Sequence, residues 1–325
     1  MTQKFILLPF LAVVLLAPLP LASNRPWSWA LLGLFVGLIL SIEVLFSRPH
    51  GRDSRRFVLR MLPGLILAMF IVAWILFQTS ANIPHDWAHP LWFEMALAIA
   101  ANGQPSITLD TEATLNALTR LLAYGGVFWI GARLGRNSDN AAFMLKSFVA
   151  ASCLYAVYGF LVFFSGNDTI LWFDKWAYPN DLTSTFVNRN TYATFAGLGL
   201  IASVALVPQL LGTGLRGHHT QRAMLLNLAD RAFSQAWLPL LTIIVTAFAL
   251  LLSHSRGGLF STGVGLFILF LSFAYTKVVS RKLGIYLAPL FGLFIIGTYA
   301  MAGDGVDARL AETSLTSSPR HELYS

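Results

Sequence analysis

Charge is what this sequence has least of. Asp, Glu, Lys and Arg make up 11% of its 325 residues, against roughly a quarter in a soluble domain, which excludes a soluble enzyme. Cysteine is nearly absent: the single Cys153 can close no intrachain disulfide. The histidines at 50, 85, 89, 218, 219, 254 and 321 lack the spacing of a helical zinc motif. Neither a metal centre nor any other cofactor is therefore expected. The apolar stretches are continuous rather than alternating with polar residues, which excludes an outer-membrane barrel.

What is present is apolar sequence, 56% of the chain. It falls in runs at about 5–22, 27–46, 61–79, 118–135, 142–165, 190–208, 237–253, 258–276 and 283–300, each near the roughly 20 residues that a membrane-crossing helix needs. These runs predict an all-α integral membrane protein of about nine transmembrane helices. Residues 1–300 form its polytopic domain, and 301–325 open a polar segment. The first run also has the length and the Leu21-Ala22-Ser23 ending of a signal peptide. Cleavage there is an alternative that leaves the downstream orientation unchanged.

The net charge of +7 raises the question of nucleic acid, but the distribution of the basic residues answers it. With the N-terminus in the cytoplasm, Lys4, Arg48, Arg52, Arg55, Arg56, Arg60, Arg133, Arg136, Lys146, Arg216, Arg222, Arg231, Lys277, Arg281 and Lys282 all fall inside. That is 15 of the 22. The Lys/Arg bias sets the orientation. The charge is mostly topology, and no nucleic-acid partner is expected.

The irregular sequence then lies outside, chiefly at 80–117, 166–189 and 301–325, and loops are where function is usually carried. Trp87, Trp92 and Phe93, with Met95, Leu97 and Ile99, form a short segment suited to the interface plane, either as an aromatic belt or as a guide for a lipid substrate. Trp172, Phe173, Trp176 and Tyr178 suit either a belt or stacking on sugar rings. Asp304 and Asp307 stand in a Gly-containing stretch and read as solvated.

Two polar clusters at the outer starts of spans carry the chemistry. The first is Ser184-Thr185-Phe186-Val187-Asn188-Arg189-Asn190-Thr191-Tyr192-Ala193. Asn190 or Thr191 is a natural N-cap there, setting the positive end of a helix dipole beside Arg189. The second is Ser253-His254-Ser255-Arg256-Gly257-Gly258. Ser255 can cap the following helix, and the glycines let backbone N–H groups turn toward a ligand. A helix N-terminus with an arginine beside it is an anion site, and guanidinium grips phosphate oxygens in bidentate fashion. Two such sites suit a diphosphate. The alternative is that each arginine snorkels to a lipid headgroup.

At these residues the chain resembles the O-antigen ligase and polymerase family, glycosyltransferases of the bacterial inner membrane acting on lipid-linked glycans at the periplasmic face. Residues 185–193, TFVNRNTYA, look like the family's F-x-N-R-N-x-x-A signature. Residues 253–258, SHSRGG, look like its S-R-G motif, and Arg320-His321-Glu322-Leu323-Tyr324 looks like the R-x-x-L-Y segment that opens its large periplasmic loop. The match is strongest from 140 onward.

The resemblance implies that Arg189 and Arg256 are catalytic, holding the diphosphate of an undecaprenyl-diphosphate-linked glycan. Asn188, Asn190, His254, Ser255 and Arg320 are then expected around the substrate. The implied reaction is attack by an acceptor hydroxyl, on lipid A core or a growing glycan, with undecaprenyl diphosphate leaving. Fixed cations suit the charge that grows on that leaving group, with no need of a metal.

The family also implies about twelve spans and a histidine base further along the large periplasmic loop, in a context this sequence lacks. The chain is therefore expected to be truncated in that loop and unable to catalyse transfer alone. A transporter or flippase of lipid-linked saccharides is the rival reading. It calls for charged or broken-helix sites near the bilayer midplane, whereas the polar motifs here crowd one side. A non-catalytic scaffold would leave both arginine motifs without a purpose.

Overall fold

The computed structural model describes residues 2–46, 52–94, 105–166, 169–211 and 221–276. Among them about 79% are helical, so the chain is an all-α protein in all but one short hairpin. Its helices are α1 (Thr2–Leu16), α2 (Pro26–Phe46), α3 (Arg52–Gln78), α4 (Thr111–Leu134), α5 (Ser138–Phe164), α6 (Arg189–Leu211), α7 (Gln221–Ser234), α8 (Trp237–Leu252) and α9 (Arg256–Thr276). The hairpin pairs β1 (Thr169–Ile170) with β2 (Phe173–Asp174), antiparallel, Thr169 opposite Asp174.

Among the described residues, five helices are long and apolar enough to cross a membrane: α2, α3 from Arg55, α5, α6 and α9. The runs at 5–22 and 237–253 give shorter apolar helices, Phe5–Leu16 and Trp237–Leu252. The first stops early because Pro18 and Pro20 follow it, and Leu21, Ala22 and Ser23 all take left-handed backbone. The run at 118–135 begins about two turns sooner than hydropathy suggests, at Thr111. Asp110 caps α4 by accepting from Ala113 N–H at 2.8 Å, with Glu112 in its first turn. The run at 283–300 and the segment 301–325, with Arg320, lie outside the described residues, as do Met95, Leu97 and Ile99. One helix, α7, was not expected: its apolar residues are interrupted by polar and charged ones and form no run of membrane length, and Leu226 and Phe233 stand exposed on it.

The chain divides into two compact units, Met1–Ala17 with Ser23–Ala141, and Pro18–Ala22 with Ala142–Ser325. In the first, α2 packs on α4, with α1 against both and α3 touching α4. Val36, Ile39, Leu118 and Ile130 are buried there. The buried Glu43 of α2 pairs with Arg133 Nε of α4 at 3.1 Å. Nothing on α3 between Arg55 and Gln78 is buried.

In the second unit α6 packs on α8 and α9. Its buried face is made of small residues: Ala193, Ala196, Gly197, Gly199, Ala202 and Ser203. Three buried hydroxyls in this seam are satisfied by their own helices. Ser203 donates to Gly199 O at 2.7 Å, Thr246 to Thr242 O at 2.6 Å and Thr262 to Gly258 O at 2.7 Å. Such bonding lets these side chains sit in an apolar bundle, whereas the hydroxyls of Ser152 and Tyr192 are buried with no hydrogen-bond partner among the described residues. Tyr192, fully buried, packs at the N-terminal end of α6 with Ala156, Leu182, Phe186, Ala196 and Ala249.

Candidate functional site

The site lies in the second unit, where the segment from Lys175 to Asn188 meets the first turns of α6 and α9. Sequence makes both turns. Asn188, not Asn190 or Thr191, caps α6: its Oδ1 accepts from Asn190 N–H at 2.8 Å, and its carbonyl accepts from Tyr192 N–H at 3.1 Å. The helix therefore begins with Arg189 itself, and the cap stands just before the arginine rather than after it. Ser255 caps α9, its Oγ accepting from Gly258 N–H at 3.1 Å and its carbonyl from Leu259 N–H at 3.0 Å.

Side chains join the two motifs. Ser255 Oγ donates to Asn190 Oδ1 at 2.8 Å across 65 residues of sequence. Gly258 makes the approach possible, since a Cβ there would fall 2.3 Å from Cβ of Ala193. The second link is Asp181, whose carboxylate is only 10% exposed. Its Oδ2 accepts from Arg189 Nη1 at 2.8 Å and its Oδ1 meets His254 Nδ1 at 2.8 Å. Lys175 Nζ donates to the Asp181 carbonyl at 2.5 Å, and the Arg189 guanidinium lies 5.2 Å above the Tyr178 ring.

The loop is pinned from beneath. Leu182 N–H donates to Leu252 O at 3.0 Å, and Ser184 Oγ to Tyr155 O at 2.7 Å. Gly159 admits the loop onto α5, since a Cβ there would come within 2.7 Å of Leu182 Cδ2. Tyr178, Ser184 and His254 all hold left-handed backbone, at φ 56°, 50° and 49°. Residues with side chains adopt that region at a cost of about 1–3 kcal/mol each, and it persists only where surrounding contacts impose it. A cavity of about 310 Å³ opens beside the cluster, lined by Lys175, Asn180, Asp181, Thr183 and Ser184 over Phe163. That volume is at the lower end for small-molecule sites.

Of the residues that sequence singled out, Arg189, Asn190, His254 and Ser255 come together, and Asn188 supports them as a cap. Arg256 opens α9 with its side chain exposed, and it makes no ion pair or hydrogen bond among the described residues. Arg189 is more enclosed, its Nε buried without a hydrogen-bond partner among the described residues. Tyr178 joins the site from the aromatic set. Trp172 and Phe173 pack on each other in the hairpin, 5.8 Å between ring centroids. Trp92 is tied down elsewhere, in the first unit, donating to Thr108 O at 3.1 Å.

Sequence reasoning missed Asp181. The available signal was weak: an acidic residue in the polar stretch Asn180-Asp181-Leu182-Thr183-Ser184, eight residues before a motif arginine. Compared with known proteins, the chain matches no family model, no curated protein and no solved structure.

Proposed function

We propose that this chain is a membrane glycosyltransferase of the O-antigen ligase and polymerase type. It moves a glycan from an undecaprenyl-diphosphate carrier to a sugar acceptor, lipid A core or a growing glycan, at the periplasmic face of the bacterial inner membrane, within a nine-span topology. One observation carries the reading: the two arginine motifs on which the resemblance rests are bonded into a single cluster, through Ser255–Asn190 and through Asp181.

Beside that cluster, at the start of α9, Arg256 offers an exposed guanidinium, unpaired among the described residues, to an incoming phosphate. Arg189 is held in a fixed pose by Asp181 and Tyr178. Cations fixed in advance at two helix starts need no rearrangement as charge develops on the leaving diphosphate, which is how such groups lower a barrier. The polar groups gather at helix ends and in the loop between them, the arrangement expected for surface chemistry rather than for a midplane transport site.

The test is accumulation of undecaprenyl-linked glycan in cells carrying variants of the complete protein. Arg189→Ala and Arg256→Ala should each abolish transfer while insertion stays normal. Lysine should rescue poorly, since it keeps the charge and loses the fork. Wild-type levels of transferred glycan in either alanine variant overturn the assignment.

A further inference from the structure

We infer that His254 is the general base of this site and that Asp181 positions it. The inference rests on the glycosyl-transfer reading above, and it supplies within this chain a proton acceptor that the sequence resemblance puts in another loop. The geometry has three parts. Asp181 is buried, and an ionised carboxylate can only accept hydrogen bonds. The 2.8 Å contact to His254 therefore puts the imidazole hydrogen on Nδ1 and leaves the lone pair on Nε2. The His254 side chain is 58% exposed, so the ring is anchored at one nitrogen and open at the other. A buried carboxylate that fixes the tautomer and steadies the imidazolium is the arrangement that makes histidine an effective base.

The backbone supports the same conclusion. His254 stands in left-handed conformation at the junction of α8 and α9. It is clamped there by its own N–H to Leu251 O at 3.1 Å and by the capping Ser255 that follows. That strain points the ring at Asp181, 73 residues away in sequence. Among the described residues Asp181 contacts the ring, and the other charged and titratable groups of the cluster are Arg189 on Asp181, Lys175 on the Asp181 carbonyl, Tyr178 under Arg189, and Arg256 two residues on at the start of α9.

In the step assigned to it, the acceptor hydroxyl oxygen bonds to the anomeric carbon as the bond from that carbon to the diphosphate oxygen breaks. The electron pair stays on the undecaprenyl diphosphate. The hydroxyl proton passes to His254 Nε2, and the imidazolium, steadied by Asp181, returns it to water.

The full chain in liposomes, given undecaprenyl-diphosphate-linked glycan and an acceptor glycan, tests this with two readouts: transfer rate and affinity for undecaprenyl diphosphate. His254→Gln should slow transfer by about 10² to 10⁴, the usual worth of a positioned base, and leave affinity within about threefold. His254→Ala should regain activity on addition of imidazole. Asp181→Asn should lower the rate, because the imidazole loses the acceptor that fixes its tautomer and orientation. Asp181→Glu should restore part of it. Wild-type transfer by His254→Gln overturns the base assignment alone. A wild-type chain that binds undecaprenyl diphosphate without transferring also overturns it, leaving the diphosphate site standing. A wild-type chain that does neither sinks the glycosyltransferase reading and this inference with it.

Discussion

The two units are built from similar apolar helices and treat their glycines in opposite ways. In the second unit, Cβ atoms added at Gly197, Gly199, Gly258 and Gly265 would fall 2.0, 2.6, 2.3 and 2.5 Å from Thr262, Ser152, Ala193 and Ile201. In the first, a Cβ at Gly37, Gly64 or Gly125 would meet nothing within 4 Å, and Gly126 stands out by its closeness to Val36. Inside a membrane, lipid tails are as apolar as leucine, so helices gain little from hiding apolar surface. They associate instead through close packing of small residues and through polar contacts. The second unit has such a seam along α6, and the polar cluster sits at its end. The first unit relies on fewer close contacts and, among the described residues, on the buried ion pair of Glu43 with Arg133.

The largest expected effect is at that pair. Arg133→Leu leaves Glu43 buried without its partner, and removing one member of a buried pair costs about 3–5 kcal/mol. Reversible unfolding in detergent should register the loss, and Glu43→Leu combined with Arg133→Leu should recover most of it. A single variant as stable as wild type would mean that the first unit is held by something else.

Next comes the seam. Gly258→Ala should destabilise by about 1–3 kcal/mol, because its neighbour is a short side chain on a helix that cannot give way. Gly64→Ala should stay within about 0.5 kcal/mol. Equal costs at the two positions would erase the contrast between the units.

A smaller effect sharpens the account of the site. Asn188→Ala should cost about 1 kcal/mol as α6 loses its cap, whereas Thr191→Ala should be nearly neutral. Amide hydrogen exchange over the first turn of α6 reads the difference directly. Faster exchange in Thr191→Ala alone would restore the cap position that the sequence suggested.

How much of this was legible depends on the kind of interaction. Hydropathy located the cores of the described membrane-length helices, because a run of apolar residues is a local property. It could not see α7, whose apolar residues are broken up by polar and charged ones, nor the early start of α4, where Asp110 rather than an apolar residue caps the first turn. The Ser255 cap was readable because its hydroxyl stands three residues before Gly258, the spacing at which a cap accepts an N–H. In Asn188-Arg189-Asn190-Thr191 several caps compete, and only the fold of the preceding loop selects Asn188. Asp181 was invisible for a deeper reason. Its partners lie 8 and 73 residues away, and no local spacing encodes a bridge between them.

The central claim is that the two arginine motifs form one anion site. Its most direct test is a double-mutant cycle on the affinity of the full chain in nanodiscs for undecaprenyl diphosphate, using Arg189→Ala, Arg256→Ala and both together. Each single variant should weaken binding by roughly tenfold or more, as for a lost charged hydrogen bond. The double variant should bind more weakly than either single variant, since both arginines hold the same ligand. Affinity unchanged in either single variant, or a double variant no weaker than the weaker single one, would contradict a single shared site.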